Sequence, residues 1–238
     1  MLHTVRTQAF AIKQSVAGLL FAVALAIGTV ATATPAAALS DEQELVERAR
    51  LTFEKLIADP EFEQLPYYVG KARGLLIFPE LVKGGFIVGG EGGSGVLVVR
   101  SETLGWSYPA FYTIAAGSIG LQIGGQVAEA VFTVMSEKAV DAILDNQFKF
   151  GGDVSVAVGP IGQGLEAATT TNLNADIYQF AKTAGLFGGM SFEGAGILKR
   201  DSYNEGYYGA GATPYGITIE GKYSNPNAQG LRDALAPY

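Results

Sequence analysis

The sequence predicts an α+β fold, in which N-terminal helices are followed by a dominant antiparallel β-sheet with one inserted helix. Two observations predict this fold. Apolar residues recur at helical spacing before residue 60 and again around residue 140. Elsewhere, short runs of β-branched and aromatic residues alternate with glycine, which accounts for 32 of the 238 residues. A chain so rich in glycine is expected to contain many tight turns between strands.

Residues 1–38 have the pattern of a secretory signal peptide. Arg6 and Lys13 precede an uncharged apolar run over residues 16–30, and Ala36 and Ala38 form a small-x-small cleavage site. We expect cleavage after Ala38 and a periplasmic or secreted mature protein. The alternative is an uncleaved anchor, since the apolar run with its flanks is just long enough to span a bilayer.

Two helices have recognisable starts. Ser40 is followed three residues later by Gln43, which is a capping-box pattern and predicts a helix over residues 41–58. Asp59-Pro60 ends that helix, because the residue before proline disfavours the α region. Ser136 is the N-cap of the inserted helix, which is predicted to end at Leu144.

The strands follow from runs of β-branched and aromatic residues bounded by glycine or proline. They are predicted at residues 75–78, 86–89, 96–100, 108–114, 119–123, 148–158, 165–171, 175–181, 186–193 and 196–199, with a last strand near 217–220. Residues 103–128 carry no charge, but Pro109 and five glycines favour buried strands over a membrane-spanning helix. No linker divides residues 39–238, so we predict a single domain there.

One glycine motif has two readings. Residues 90–95 match G-x-G-x-x-G, a pattern that binds dinucleotides when it lies between a strand and a helix. Here the following residues, VLVVR, predict a strand. We therefore expect a hairpin turn in which Gly92, Gly93 and Gly95 supply positive φ angles.

Composition excludes several functions. The chain has no cysteine, and its one histidine, His3, lies in the segment expected to be removed. Thiol, disulfide and imidazole chemistry are therefore excluded from the mature protein. Removing Arg6 and Lys13 from the 16 basic residues leaves 14 against 23 acidic ones, a net charge of −9. That charge argues against a nucleic-acid partner.

No catalytic site is predicted. Four carboxylates near strand ends are candidates for glycoside hydrolysis: Asp153, Glu166, Glu193 and Glu220. Nothing in their spacing selects a pair, and carboxylates at strand ends are usually solvated. We predict a protein that is not an enzyme and that needs no cofactor or metal.

The best candidate site is a small basic cluster. Lys71, Arg73 and Lys83 flank the first predicted strand, where they would contact an anionic headgroup. The expected apolar neighbours in this contact are Phe78, Phe86 and Trp106. Other basic residues near the front of the chain lie among glutamates and predict a salt-bridged helix surface.

Residues 71–209 resemble the SYLF domain, a lipid-binding family of bacteria and eukaryotes. The matching runs are A-R-G-L-L-I-F at 72–78, V-K-G-G-F at 82–86, G-G-S-G-V-L-V-V-R at 92–100, G-W-S-Y-P-A at 105–110, G-L-Q-I-G-G-Q at 120–126, G-G-D-V-S-V-A-V-G-P-I-G at 151–162, G-L-F-G-G-M-S-F-E-G at 185–194 and N-E-G-Y-Y-G at 204–209. The resemblance implies phospholipid binding, to phosphoinositides in eukaryotic members, and some yeast members bind actin.

Two features differ from the eukaryotic members. The helix over residues 41–58 is acidic overall, and Glu91 and Gln163 occupy predicted turns where those members tend to carry arginine. With the signal segment, the chain resembles a bacterial exported member. We therefore expect a non-enzymatic module of the cell envelope that binds anionic, phosphatidylinositol-type phospholipid or a membrane surface. The alternative is a structural envelope protein that binds a protein partner and no specific lipid.

Overall fold

The structure is a computed structural model that describes residues 39–85, 88–101, 105–119, 124–145, 148–152, 154–159, 175–185 and 194–238. Within this part of the chain, Leu39–Tyr238 form one compact unit. The predicted signal segment, residues 1–38, lies outside the described residues, as do the strands predicted at 165–171 and 186–193.

The N-terminal helices form where their caps predict. Helix α1 spans Asp41–Ile57, and the Ser40 hydroxyl accepts a 3.2 Å hydrogen bond from the Gln43 backbone N–H. A 3₁₀ turn over Pro60–Phe62 follows, and helix α2 spans Leu65–Lys71. The prediction of a helix that begins after Ser40 is confirmed.

Nine strands form one sheet in the described chain. They are β1 (Gly74–Gly85), β2 (Val88–Ser101), β3 (Gly105–Trp106), β4 (Ala110–Ile119), β5 (Gly124–Val134), β6 (Phe148–Lys149), β7 (Val156–Val158), β8 (Ile177–Gly185) and β9 (Gly196–Lys199). Their order is β6-β9-β4-β2-β1-β5-β8-β7, with β3 paired to β2 alone. All these strand pairs are antiparallel except β7 beside β8. The α+β class with a dominant antiparallel sheet is confirmed.

The sheet has a hydrophobic core on each face. The front face, as we name it, packs Leu75, Ile77 and Val98 against α1 and α2. The back face packs alternate residues such as Phe78 and Phe132 against the inserted helix. Because side chains alternate along a strand, each strand contributes to both cores.

A bulge interrupts β1 between Ile77 and Val82. Phe78 pairs with Ala130 and Leu81 with Ala128, so three steps along β1 match two along β5. One extra residue in β1 shifts the alternation, and every residue after the bulge faces the side opposite to that expected from the start of the strand.

The tail of the chain is helical. After the inserted helix α3 (Glu137–Leu144), the structure has α4 (Asp201–Tyr208), α5 (Pro214–Thr218), a 3₁₀ turn (Pro226–Ala228) and α6 (Gln229–Leu235). The strand predicted near 217–220 is wrong. Thr213 accepts a hydrogen bond from the Gly216 backbone N–H and Pro214 occupies the first turn, so this segment starts a helix.

Other strand predictions need correction. Residues 90–95 run straight through β2 instead of forming a hairpin turn, and none of Gly92, Gly93 and Gly95 has a positive φ. The long strand β5 was not predicted, and the strand predicted at 148–158 is two short strands, β6 and β7. Among the described residues, no helix is long and apolar enough to cross a membrane.

Candidate functional site

The predicted basic cluster is divided in the structure. Lys71 ends α2 and Arg73 lies just before β1, whereas Lys83 lies near the far end of that strand. Ten residues of strand separate Arg73 from Lys83, a distance of about 30 Å. One headgroup cannot contact all three side chains.

Lys71 and Arg73 lie at an exposed end of the protein. Lys71 Nζ lies 4.2 Å from the centroid of the Tyr67 ring and 2.5 Å from its hydroxyl, and Tyr67 itself is 54% exposed. The Arg73 guanidinium reaches Glu137 at 3.8 Å, and both side chains are open to solvent. We call Tyr67, Lys71 and Arg73 the α2-end surface.

Tyr67 is the functional candidate that sequence reasoning missed. It lies four residues before Lys71, and on a helix this spacing places the two side chains side by side. An aromatic residue with a polar tip beside a lysine is a common arrangement at membrane interfaces. The signal was therefore present in the sequence, although it depends on residues 65–71 being helical.

Arg100 holds the α2 end from beneath. Its guanidinium donates to the carbonyl oxygens of Ala72 at 3.1 Å, Val69 at 2.8 Å and Tyr238 at 3.0 Å. Burial, and then the positive charge of Arg73, lower the pKa of Arg100. Arg100 thus satisfies the last carbonyls of α2 and fixes the position of Lys71.

Lys83 lies on the back face and is paired. Its Nζ lies 3.4 Å from Glu91 Oε2, directly across the β1–β2 ladder, and the Glu91 side chain is only 5% exposed. That carboxylate oxygen accepts no hydrogen bond. Gln126, opposite Lys83 on β5, is also buried. Lys83 is thus largely neutralised by Glu91 and is not an exposed headgroup contact.

The predicted apolar contacts belong to the interior where they are described. Phe78 is fully buried and packs edge-to-face on Phe132 at 5.8 Å. Trp106 is buried too, with its indole N–H donating to the Leu235 carbonyl at 3.0 Å. Phe86 lies outside the described residues. Phe78 and Trp106 therefore stabilise the fold and do not form part of an exposed surface.

The front face also carries a region that none of the described helices covers. Three ion pairs tie α1 and the following turn to the sheet: Arg48–Glu80, Lys55–Glu129 and Lys182–Asp59. Beyond them lies an uncharged surface that we call the bare strip, made of Val82, Gly84, Gly90, Gly92, Ala115, Gly117, Gly125 and Val127. Val82 is 47% exposed and Val127 is 44% exposed.

The carboxylates weighed for hydrolysis do not form a pair in the described chain. Glu220 is bonded to Lys222 at 2.8 Å on the surface of the tail. Asp153, Glu166 and Glu193 lie outside the described residues.

Comparison with known proteins establishes the family. A family model described as Ysc84, Las17-binding protein actin regulator, matches residues 115–238. The chain belongs to the Ysc84 (SYLF) family. This match covers more than half of the chain and confirms the resemblance inferred from the sequence.

The relatives of this Ysc84-family chain are longer proteins. SH3 domain-containing YSC84-like protein 1 of Xenopus laevis is 37% identical over 145 residues, which are 60% of this chain and 43% of the relative. Protein YSC84 of Saccharomyces cerevisiae is 36% identical over 166 residues, which are 68% of this chain and 35% of the relative. The human SH3 domain-containing YSC84-like protein 1 is 34% identical over 170 residues, which are 71% of this chain and 49% of the relative. The chain thus spans about half, or less, of the length of these relatives.

Proposed function

We propose that this Ysc84-family chain is a non-enzymatic binding module of the cell envelope that attaches to anionic phospholipid through the α2-end surface. The observation that carries the proposal is the exposed Tyr67–Lys71 pair at the end of α2, with the exposed Arg73 two residues further along the chain. Tyrosine and lysine together offer an apolar body and a positive tip to the headgroup layer. Arg73 adds a planar donor that suits phosphate oxygens, and its contact with Glu137 is long, at 3.8 Å, and open to solvent, so it competes weakly.

The proposed attachment is weak. A basic side chain near an anionic membrane surface contributes about 1 kcal/mol, and added salt screens it. The net charge of −9 on residues 39–238, obtained from 14 basic and 23 acidic residues, opposes the approach. Binding should therefore favour anionic over zwitterionic vesicles and decrease steeply with ionic strength.

The test is co-sedimentation of the purified protein with vesicles containing about one third anionic lipid. Replacing Lys71 and Arg73 together with Gln removes both positive charges of the α2-end surface. We therefore expect at least a tenfold weaker association. The melting temperature should hardly change, because exposed charges contribute little to stability.

The matched control replaces Lys149 and Lys222 with Gln. Both lysines are exposed and remote in sequence from α2, and the change in net charge is the same. The control should bind like the unmodified protein. If both double variants lose binding equally, net charge and not the α2-end surface governs the association, and the proposal is wrong.

Export is part of the same proposal. The basic start, the apolar run and Ala36-x-Ala38 support cleavage after Ala38. The mature protein recovered from the expressing cell should then begin at Leu39. A mature form that still begins at Met1 and fractionates with the inner membrane would contradict the periplasmic assignment.

A second candidate function is protein binding through the bare strip. The family model and a yeast relative are named for binding Las17, which suggests a protein partner for this chain as well. An uncharged, glycine-rich sheet face allows another backbone to approach closely. Replacing Val82 and Val127 with Glu should abolish crosslinking to such a partner in cells and leave vesicle binding unchanged. Loss of vesicle binding instead would place the lipid contact on this face.

A further inference from the structure

A cleft of about 240 Å³ opens where the N-terminal turns of α1 meet β2 and the start of α4. Its charged and polar lining residues come from all three elements: Asp41, Glu44, Arg48, Ser94, Arg200 and Tyr203. The cleft lies on the front face and is remote from the α2-end surface, because Ser94 precedes the end of β2 at Ser101 by seven residues, or about 23 Å.

Arg200 is the cation that this cleft presents. Its guanidinium stacks on the Tyr203 ring at 3.3 Å from the centroid, and one of its N–H groups donates to the Ser94 hydroxyl. Among the described residues, Arg200 forms no ion pair with a carboxylate. A stacked guanidinium is held in one plane and keeps donors in the geometry that a phosphate or carboxylate accepts.

The other arginine of the cleft is already paired. Arg48 lies 2.5 Å from Glu80 Oε2 on β1, so its charge is compensated. The Arg48–Glu80 ion pair also connects α1 to the bulge of β1. It is not the group expected to bind a ligand.

Two carboxylates face the same space. Asp41 and Glu44 lie one turn apart on α1 and line the cleft, and within the described chain neither forms an ion pair. The cleft therefore holds unpaired positive charge on the Ser94–Arg200 side and unpaired negative charge on the α1 side. A simple anion would be attracted by Arg200 and repelled by the carboxylates.

We propose that this cleft binds a small zwitterion whose phosphate or carboxylate contacts Arg200 and Ser94 and whose ammonium group contacts Asp41 and Glu44. Ethanolamine phosphate is a small ligand that carries both groups, one phosphate for Arg200 and Ser94 and one ammonium for Asp41 and Glu44. The proposal does not rest on lipid attachment at the α2-end surface.

The zwitterion has two chemical sources, a soluble metabolite or a phospholipid headgroup. Ser94 lies two residues from Gly92 on the same face of β2, so one wall of the cleft continues into the uncharged bare strip. An apolar chain attached to the ligand would lie along that strip. Comparing ethanolamine phosphate with monomeric lysophosphatidylethanolamine distinguishes the two sources.

The test is calorimetric titration of the purified protein with ethanolamine phosphate, inorganic phosphate and ethanolamine. We expect ethanolamine phosphate to bind at least tenfold more tightly than either fragment. In the Asp41→Asn/Glu44→Gln variant, ethanolamine phosphate should bind on the order of fivefold more weakly, because the ammonium loses its partners. Inorganic phosphate should bind more tightly to that variant, because its repulsion is removed.

These opposite changes separate recognition from misfolding, since a misfolded cleft would weaken both ligands. Ser94→Ala and Arg200→Lys, which keeps the charge but loses the planar donors, should each weaken ethanolamine phosphate. Lys222→Gln is the control and should change nothing, because Lys222 does not line the cleft and is paired with Glu220. The proposal is overturned if phosphate alone binds as tightly as ethanolamine phosphate, or if neither ethanolamine phosphate nor its lysolipid binds. Preference for the lysolipid identifies a headgroup site, and equal affinity identifies a soluble ligand.

Discussion

Lys83 is predicted to lie with Lys71 and Arg73 around the first strand, but the structure places it near the far end of that strand and on the back face. Counting alternate positions from Ile77 places residue 83 on the front face, together with Ile77. The extra residue in the bulge of β1 reverses the alternation, and Lys83 turns to the back face beside Glu91. The sequence does carry a signal for the bulge, because Pro79 lies inside it and a proline in a strand paired on both sides favours a bulge. The predicted strand ends at Phe78, so that signal is not used.

The buried pair makes a prediction about stability. Lys83→Gln leaves the Glu91 carboxylate, 5% exposed, without its cation. We expect a loss of about 2–3 kcal/mol in the free energy of unfolding, somewhat below the cost of breaking a fully buried pair because Lys83 retains partial contact with water. Urea denaturation measures this loss in the free energy of unfolding.

The double variant Lys83→Gln/Glu91→Gln supplies the control. It removes both charges and should recover more than half of the loss, because no unpaired buried charge remains. A double variant as unstable as Lys83→Gln alone would mean that the lysine stem, and not the charge, stabilises this position.

Among the secondary-structure elements, the helix starts predicted from N-cap serines are confirmed by the structure. Ser40 and Ser136 start their helices as expected, since each hydroxyl accepts a backbone N–H three residues later. The Thr213-Pro214 start of α5 has the same chemistry, but the β-branched residues after it favoured a strand. Strand β5 was missed although residues 131–134, VFTV, favour a strand, because the glycines and alanines of its first half carry little strand propensity.

The glycines of β2 are required for a different reason from the one expected. A Cβ atom at Gly93 would lie 2.1 Å from the Glu80 carbonyl oxygen, and one at Gly95 would lie 2.4 Å from that of Ile77. These carbonyls belong to the bulged part of β1, which presses against β2. The need is for space at a close backbone contact, not for a positive φ.

Three glycines of the bare strip, Gly84, Gly117 and Gly125, differ from these two. At Gly84 and Gly117 an added Cβ meets no atom within 4 Å. Nothing within the described fold therefore requires glycine there, and the surface is left flat although glycine weakens a strand.

This contrast predicts opposite effects of the same substitution. Gly93→Ala and Gly95→Ala should each destabilise the protein by about 2–4 kcal/mol, since the neighbouring atoms are backbone and the strand must shift. Gly84→Ala and Gly117→Ala should leave stability unchanged or raise it by about 0.5 kcal/mol. Thermal melts of the four variants test the prediction, and equal effects at both pairs would contradict the assigned bulge.

Across the described molecule, the fold is completed by contacts between segments far apart in the chain. The last helix, α6, packs Leu231 and Leu235 into the same core as Phe53 of α1. Trp106 donates to the Leu235 carbonyl, and Arg232 donates to the Trp106 carbonyl at 2.9 Å. Sequence patterns predicted one domain over residues 39–238, but they did not predict that its end would cover its beginning, because such packing depends on distant residues.

The α6 contact predicts that stability depends strongly on the end of the chain. Leu235 is fully buried, so Leu235→Ala should reduce the free energy of unfolding by about 3 kcal/mol through lost burial and the cavity that remains. Leu51→Ala is the matched control, because Leu51 lies on α1 but is half exposed, and it should cost less than about 0.5 kcal/mol. Chemical denaturation followed by Trp106 fluorescence is a suitable measurement, since this single tryptophan lies against α6.

If both variants unfold at the same denaturant concentration, α6 is not an integral part of the core. If Leu235→Ala instead loses the Trp106 signal before the rest of the protein unfolds, α6 detaches as a separate unit, and the single cooperative domain inferred for residues 39–238 is wrong.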